Sequence, residues 1–144
     1  MSILSIAIII FMALEFTNVA TLYFWPGSRL ANGVGVFDGW EKSKADPALH
    51  QFVRYLVFWV AGTKLIFIAL LLVILLTTGE QTKRLTVVAL IASILSFFWR
   101  LFPIIRSLDR EGQITPAGYS RGLGIMIAGF IGLFALALTV SLVW

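Results

Sequence analysis

The stretch FVRYLVFWVAGTKLIFIALLLVILLT, Phe52–Thr77, decides the fold. At ~1.5 Å per helical residue it exceeds the ~30 Å hydrocarbon core of a bilayer. Apart from Arg54 near its start, Lys64 is its one charge. Three further apolar stretches, 3–25, 85–105 and 119–143, are also of membrane-spanning length. Glu15 is the one charge between Ile3 and Trp25. No alternating strand pattern appears, so the expected fold is all-α. It is read as a single integral membrane domain over 1–144, a four-helix bundle with helices at about 3–25, 47–77, 84–107 and 116–143.

Composition agrees. Of 144 residues 60% are hydrophobic and 12% charged, and mean hydropathy is +0.98. A soluble domain carries about 25% charged residues. The excess of four positive charges forms no basic run with interleaved aromatics, which argues against a nucleic-acid partner. Zero cysteines exclude disulfides, thiol catalysis and iron–sulfur centres. The start, Met1 to Phe11, has no basic residue before its apolar run and no small-residue cleavage site after it, so it reads as a retained first helix rather than a signal peptide.

Helix ends carry cap signals. Pro26-Gly27 stops helix 1, and Asp46-Pro47 is an N-cap followed by an N1 proline. Gly79 is expected to end helix 2 in a left-handed cap, and Thr115-Pro116 to start helix 4. Pro103 is expected to bend helix 3 near its end. Loops 1 and 3 with their flanks carry Arg29, Lys42, Lys44, Arg54, Arg106, Arg110 and Arg121, whereas loop 2 carries Lys83 and Arg84. The positive-inside rule then puts loops 1 and 3 in the cytoplasm and both termini outside. The expected location is a bacterial inner (plasma) membrane. Tyr23, Phe24 and Trp25 form an aromatic collar at the cytoplasmic edge, and Trp144 is a candidate marker of the outer one. In the long cytoplasmic loop, Val34, Val36, Phe37 and Trp40 are expected to lie against lipid headgroups, with Asp38, Glu41, Lys42 and Lys44 in water. The same segment is a candidate docking site for a cytoplasmic partner.

Depth singles out a polar centre. Glu15 lies ten residues from Trp25 and Lys64 ten from Arg54, so each is ~15 Å from the cytoplasmic edge, at the midplane. A charge facing lipid there costs about 2.5–3.5 kcal/mol on the translocon scale, and Lys64 is too deep to snorkel. The two are therefore expected to form an ion pair between helices 1 and 2. Phe11, Glu15, Asn18 and Leu22 share one stripe of helix 1, and Ala89, Ser93, Ser96 and Arg100 one face of helix 3. Glu15, Asn18, Lys64, Ser93, Ser96 and Arg100 form the candidate intramembrane polar centre. Arg100, ~9 Å inside the edge, can snorkel or turn inward toward Asn18 and Thr21. Three uses of the centre stay open: glue between helices, a proton or substrate pathway through Glu15, and anion or lipid-phosphate binding beside Arg100.

Helix 4 carries the small residues Gly118, Gly122, Gly124, Ala128 and Gly132, a candidate helix-packing face within the bundle or against another subunit. One histidine, His50, cannot supply a bis-histidine haem or a facial triad. No carboxylate cluster suggests a calcium or di-iron site, and Gly33-x-Gly35 lacks the strand and third glycine of a dinucleotide site. Asp38, Asp109 and Glu111 read as solvated loop charges. No cofactor, metal or catalytic set is proposed.

A glutamate midway along the first of four helices resembles the small multidrug resistance transporters in that one feature; Lys64 has no counterpart in that pattern. In length, helix count and outside termini the chain is similar in outline to the eicosanoid and glutathione membrane enzymes, but His50 to Trp59 lacks their Arg- and Asn-rich motif. Neither family is assigned. The reading is a non-catalytic subunit or stabilising partner of a larger membrane complex. Its alternatives are a homo-oligomeric transporter or channel using Glu15 and Lys64, and a lipid-binding or lipid-handling protein. The expected partners are the lipid bilayer and other membrane subunits or further copies of the chain.

Overall fold

The computed structural model describes residues 1–143, so Trp144 lies outside the described residues. The order is α1 (Ile3–Phe24), a 3-10 turn (Val34–Val36), α2 (Asp38–Ser43), α3 (Pro47–Thr77), α4 (Glu80–Leu95), α5 (Phe97–Arg110) and α6 (Tyr119–Val143). Four helical units are long and apolar enough to cross a membrane: α1 with 22 residues, α3 with 31, α4 and α5 together with 31, and α6 with 25.

α1 lies at the centre of the packing, with α3 on one side and α4 and α6 on the other. Its buried residues Leu4, Ile8, Phe11, Asn18 and Leu22, together with Glu15, repeat at alternating steps of four and three. On α3 the buried residues Val57, Ala61, Ile68 and Leu71 show the same steps, with Lys64 filling the gap. This is the heptad seam of two helices that supercoil gently, here antiparallel. Where α1 meets α4 and α6, Leu4, Ala7 and Ile8 pack with Val87, Leu90 and Ala137. Phe11 is the hub. Its ring meets Phe67, Phe130 and Phe134 edge-on, with centroids 6.0, 5.2 and 5.2 Å away.

Toward loop 1 the core divides. Leu22, Trp40, Val57 and Ala61 form one buried cluster, and Val36, Ile105 and Ile114 another. α5 packs on α6 and hardly touches α1 or α3. Loop 1 bridges the two clusters, because Val36 enters one and Trp40 the other, at 2% and 7% exposure. Val36 and Trp40 therefore pack against protein, not lipid headgroups. Backbone bonds Asp38 N→Gln113 O (2.9 Å) and Thr115 N→Val36 O (2.8 Å) stitch loop 1 to loop 3 around an antiparallel Phe37–Ile114 bridge. Lys42 Nζ adds a bond to Gln113 Oε1 (2.5 Å).

Some helix ends follow their cap signals. Asp46 Oδ1 accepts from Ala48 N (2.9 Å) and Leu49 N (3.2 Å) ahead of Pro47. Others do not. Gly79 is extended (φ −80°, ψ 176°) and caps the start of α4, so no left-handed residue ends α3. The interruption in the third unit falls at Ser96, and the helix continues through Pro103. The break is tightened by Ser96 N→Ser93 O (3.2 Å) and Trp99 N→Ser96 O (3.1 Å), three-residue bonds centred about two turns upstream of the proline.

α6 does not start at Thr115-Pro116. Gly118 takes φ +83° and the helix begins at Tyr119, capped from α5. Asp109 Oδ1 accepts from Gly118 N (2.9 Å), and Oδ2 from Ser120 N (2.8 Å) and Ser120 Oγ (2.6 Å). Asp109 is thus a remote cap rather than a solvated charge. Asp109→Ala removes these acceptors and strands the buried Ser120, so it is expected to lower the unfolding midpoint. Thermal unfolding in micelles checks this, and Asp109→Asn should lose less because one amide oxygen still accepts.

Candidate functional site

The seam between α1 and α3 carries the polar cluster. Lys64 Nζ lies 2.5 Å from Glu15 Oε2. Asn18 Nδ2 donates to Glu15 Oε1 at 3.4 Å, so both carboxylate oxygens are engaged. Helix period explains the triad: Glu15 and Asn18 are one turn apart on the face of α1 that α3 covers, and Lys64 is a core position of α3. Shielding is unequal. The Glu15 side chain is 12% exposed and that of Lys64 29%, so Lys64 closes the outer edge of the seam. Lys64 is seated between the buried Ala61 and Ile68, which hold its backbone against α1.

Toward loop 1 the seam continues in aromatic contacts. The Tyr23 ring stacks on Phe58 at 6.0 Å, and the Arg54 guanidinium lies 5.5 Å over Phe58. Gly62 makes room: a Cβ there would stand 3.3 Å from the Tyr23 hydroxyl.

Ser93, Ser96 and Arg100 do not join this cluster. They share a face, but it is the exposed one, because Val87 and Leu90 occupy the inner side of α4. Ser96 Oγ donates to the Ser93 carbonyl at 2.6 Å. The Arg100 guanidinium lies 5.0 Å over the neighbouring Trp99 ring, away from Asn18 and Thr21. Arg100 is exposed and does not turn inward in this structure.

The small residues of α6 divide similarly. Gly118 precedes the helix, so it forms no helical ridge with Gly122. Gly124 faces α5, where a Cβ would come 2.9 Å from Phe102. Gly122, Ala128 and Gly132 are exposed, and so is Gly129. A Cβ on Gly122, Gly129 or Gly132 would meet nothing within 4 Å.

His50 takes part in a latch. Ser43 Oγ donates to the Trp40 carbonyl (2.7 Å) and lies 2.8 Å from His50 Nδ1. The hydroxyl has one hydrogen, so Nδ1 carries the proton of that contact. The imidazole also packs on the Trp40 ring at 4.8 Å, tying α2 to the start of α3. This explains the residue types around His50 without chemistry. Among the described residues no three His, Asp or Glu side chains gather to hold a metal ion.

At the loop-2 end the two basic residues are clasps. Lys83 Nζ binds Ser5 Oγ (3.0 Å) and Glu80 (3.0 Å), and Arg84 donates to the Ser141 carbonyl. They fasten α4 to the start of α1 and the end of α6. The charge count over loop 2 does not reveal these contacts, because the partners Ser5 and Ser141 are far away in the chain. No protein-family model, curated protein or solved structure matches the chain.

Proposed function

We propose that this chain is a non-catalytic subunit or stabilising partner of a larger membrane complex, with its termini on the non-cytoplasmic side and loops 1 and 3 in the cytoplasm of a bacterial cell. The observation that carries the reading is how the polar centre is used. Glu15, Asn18 and Lys64 satisfy one another at core positions of a helix seam. A buried polar group at such a position sets register and pairing. Meanwhile the outer face of α6, with Gly122, Gly129 and Gly132 bare, suits close backbone approach by another helix. Native mass spectrometry of the protein gently extracted from its own membranes tests this. Unrelated polypeptides at fixed stoichiometry are expected; a clean homo-oligomer sinks the subunit reading.

A transporter or channel is the second reading, and one observation favours it. Lys64 keeps 29% of its side chain exposed, so the pair is not sealed from the edge of the seam. In that case Glu15 would take up and release a proton during turnover, and Glu15→Gln would abolish transport in a protein that still folds.

A further inference from the structure

A groove of about 390 Å³ runs between α5 and α6, and its chemistry changes along its length. Arg106 and Arg121 line it toward loop 3; Phe98, Phe102, Ile125 and Ala128 line it away from that end. On α5 the residues 98, 102 and 106 share one face, and on α6 the residues 121, 125 and 128 do. Eight residues at ~1.5 Å give roughly 12 Å from the arginine end to the apolar end. Close helix contact under the groove depends on Gly124, whose missing side chain is filled by the Phe102 ring.

Both guanidinium groups lack an acid: among the described residues none of the ion pairs includes Arg106 or Arg121. Nearby Asp109 is bound through both oxygens to Gly118 and Ser120. Glu111 accepts from Ser107 Oγ at 2.8 Å. Two unneutralised arginines on facing helices, above an apolar channel, match an anionic headgroup followed by a hydrocarbon chain.

We propose that this groove binds an anionic glycerophospholipid, with its phosphate between Arg106 and Arg121 and the upper part of an acyl chain along Phe98, Phe102, Ile125 and Ala128. This site is distinct from the Glu15–Lys64 seam and independent of the proposed assembly role. Arg100 takes no part in it. The recognised chemistry is a phosphate, which a lipid or a soluble anion can present; the apolar half of the groove commits the site to the lipid.

The test uses the full chain, delipidated in detergent, with phosphatidylglycerol, phosphatidylcholine or inorganic phosphate added at equal concentration. Native mass spectrometry counts retained lipid and thermal unfolding reads protection. Wild type is expected to prefer phosphatidylglycerol over phosphatidylcholine by about tenfold: both carry the phosphate, but the choline of the second brings a positive charge beside Arg106 and Arg121 and offsets part of its attraction. The R106Q/R121Q double variant should lose that preference, and Arg100→Gln should keep it. Ala128→Phe, at an exposed position that leaves the core untouched, should block the channel and cut retention of both lipids. Equal retention of the two lipids by wild type overturns the proposal. So does an unchanged preference in R106Q/R121Q, full retention in Ala128→Phe, or protection by inorganic phosphate equal to that by phosphatidylglycerol.

Discussion

Lys64→Met alone is expected to destabilise the bundle by about 1–3 kcal/mol, less than removing one partner of a fully buried ion pair costs, because Lys64 keeps 29% of its side chain exposed. Its contact with Glu15 is 2.5 Å long, and the methionine leaves that carboxylate with Asn18 as its partner. Glu15→Gln in the same chain should recover most of the loss. A glutamine at 15 can accept from Asn18 and leaves no uncompensated charge, and a methionine in place of Lys64 fills a heptad position with an apolar side chain of similar length. Equilibrium unfolding in mixed micelles, followed by tryptophan fluorescence, gives the three free energies of a double-mutant cycle. A coupling near zero means that each side chain is solvated separately and that the seam is held by its apolar positions alone. The same three proteins in liposomes separate the functional readings. Full stability with lost solute flux in E15Q/K64M points to a proton carrier, and full stability with normal assembly into a complex points to glue.

Why the seam was legible is physical. A charge in a membrane-length helix costs enough to need a partner, and depth arithmetic makes Glu15 level with Lys64. The stripe Phe11, Glu15, Asn18 and Leu22 names the side of α1 that α3 covers. The same logic fails on the third unit, where Ala89, Ser93, Ser96 and Arg100 also share a face. In lipid the inner and outer sides of a helix are both apolar, so periodicity finds a face without telling which way it points. Val87 and Leu90 take the inside, and the Ser96 hydroxyl bonds back to its own helix. Local cap rules failed for a related reason. Thr115-Pro116 carries a valid start signal, yet Asp109 on the preceding helix satisfies the amides of α6 from a distance. Such a cap depends on how α5 and α6 meet, which the residues around position 115 do not encode. Loop 1 was ambiguous because Val36 and Trp40 gain equally from headgroups or from each other's clusters, and only the divided core supplies the second option.

Gly35→Ala is expected to detach loop 1 from the bundle while leaving the four long helices intact. A Cβ at Gly35 would stand 1.9 Å from Gly27 O and 2.9 Å from Ser28 O, and one at Gly33 would stand 2.3 Å from Ser28 O. These are backbone atoms, so no rotamer change relieves the clash. The close approach is held by Val34 N→Pro26 O (2.8 Å) and Gly35 N→Ser28 O (3.0 Å), which lay residues 33–35 on the turn after α1. Glycine is needed there because backbone meets backbone, which accounts for the Gly33-x-Gly35 pair by close packing. Pushing residues 33–35 away pulls Val36 from between Ile105 and Ile114, and loosens Trp40 above Leu22 and Val57. Losing even one such side chain from its cluster is worth about 1.5–3 kcal/mol. Trypsin cleavage at Lys42 and Lys44 tracks the opened population and should quicken by roughly 10- to 100-fold. Gly39→Ala is the matched control, since a Cβ there meets nothing within 4 Å. Circular dichroism should show both variants equally helical, because the cluster around Phe11 does not involve loop 1. Cleavage of Gly35→Ala as slow as that of Gly39→Ala would mean that the α1–α3 and α5–α6 pairs are held in place without loop 1. Fast cleavage with retained helix makes residues 33–43 the tie between two helix pairs that touch little at that end.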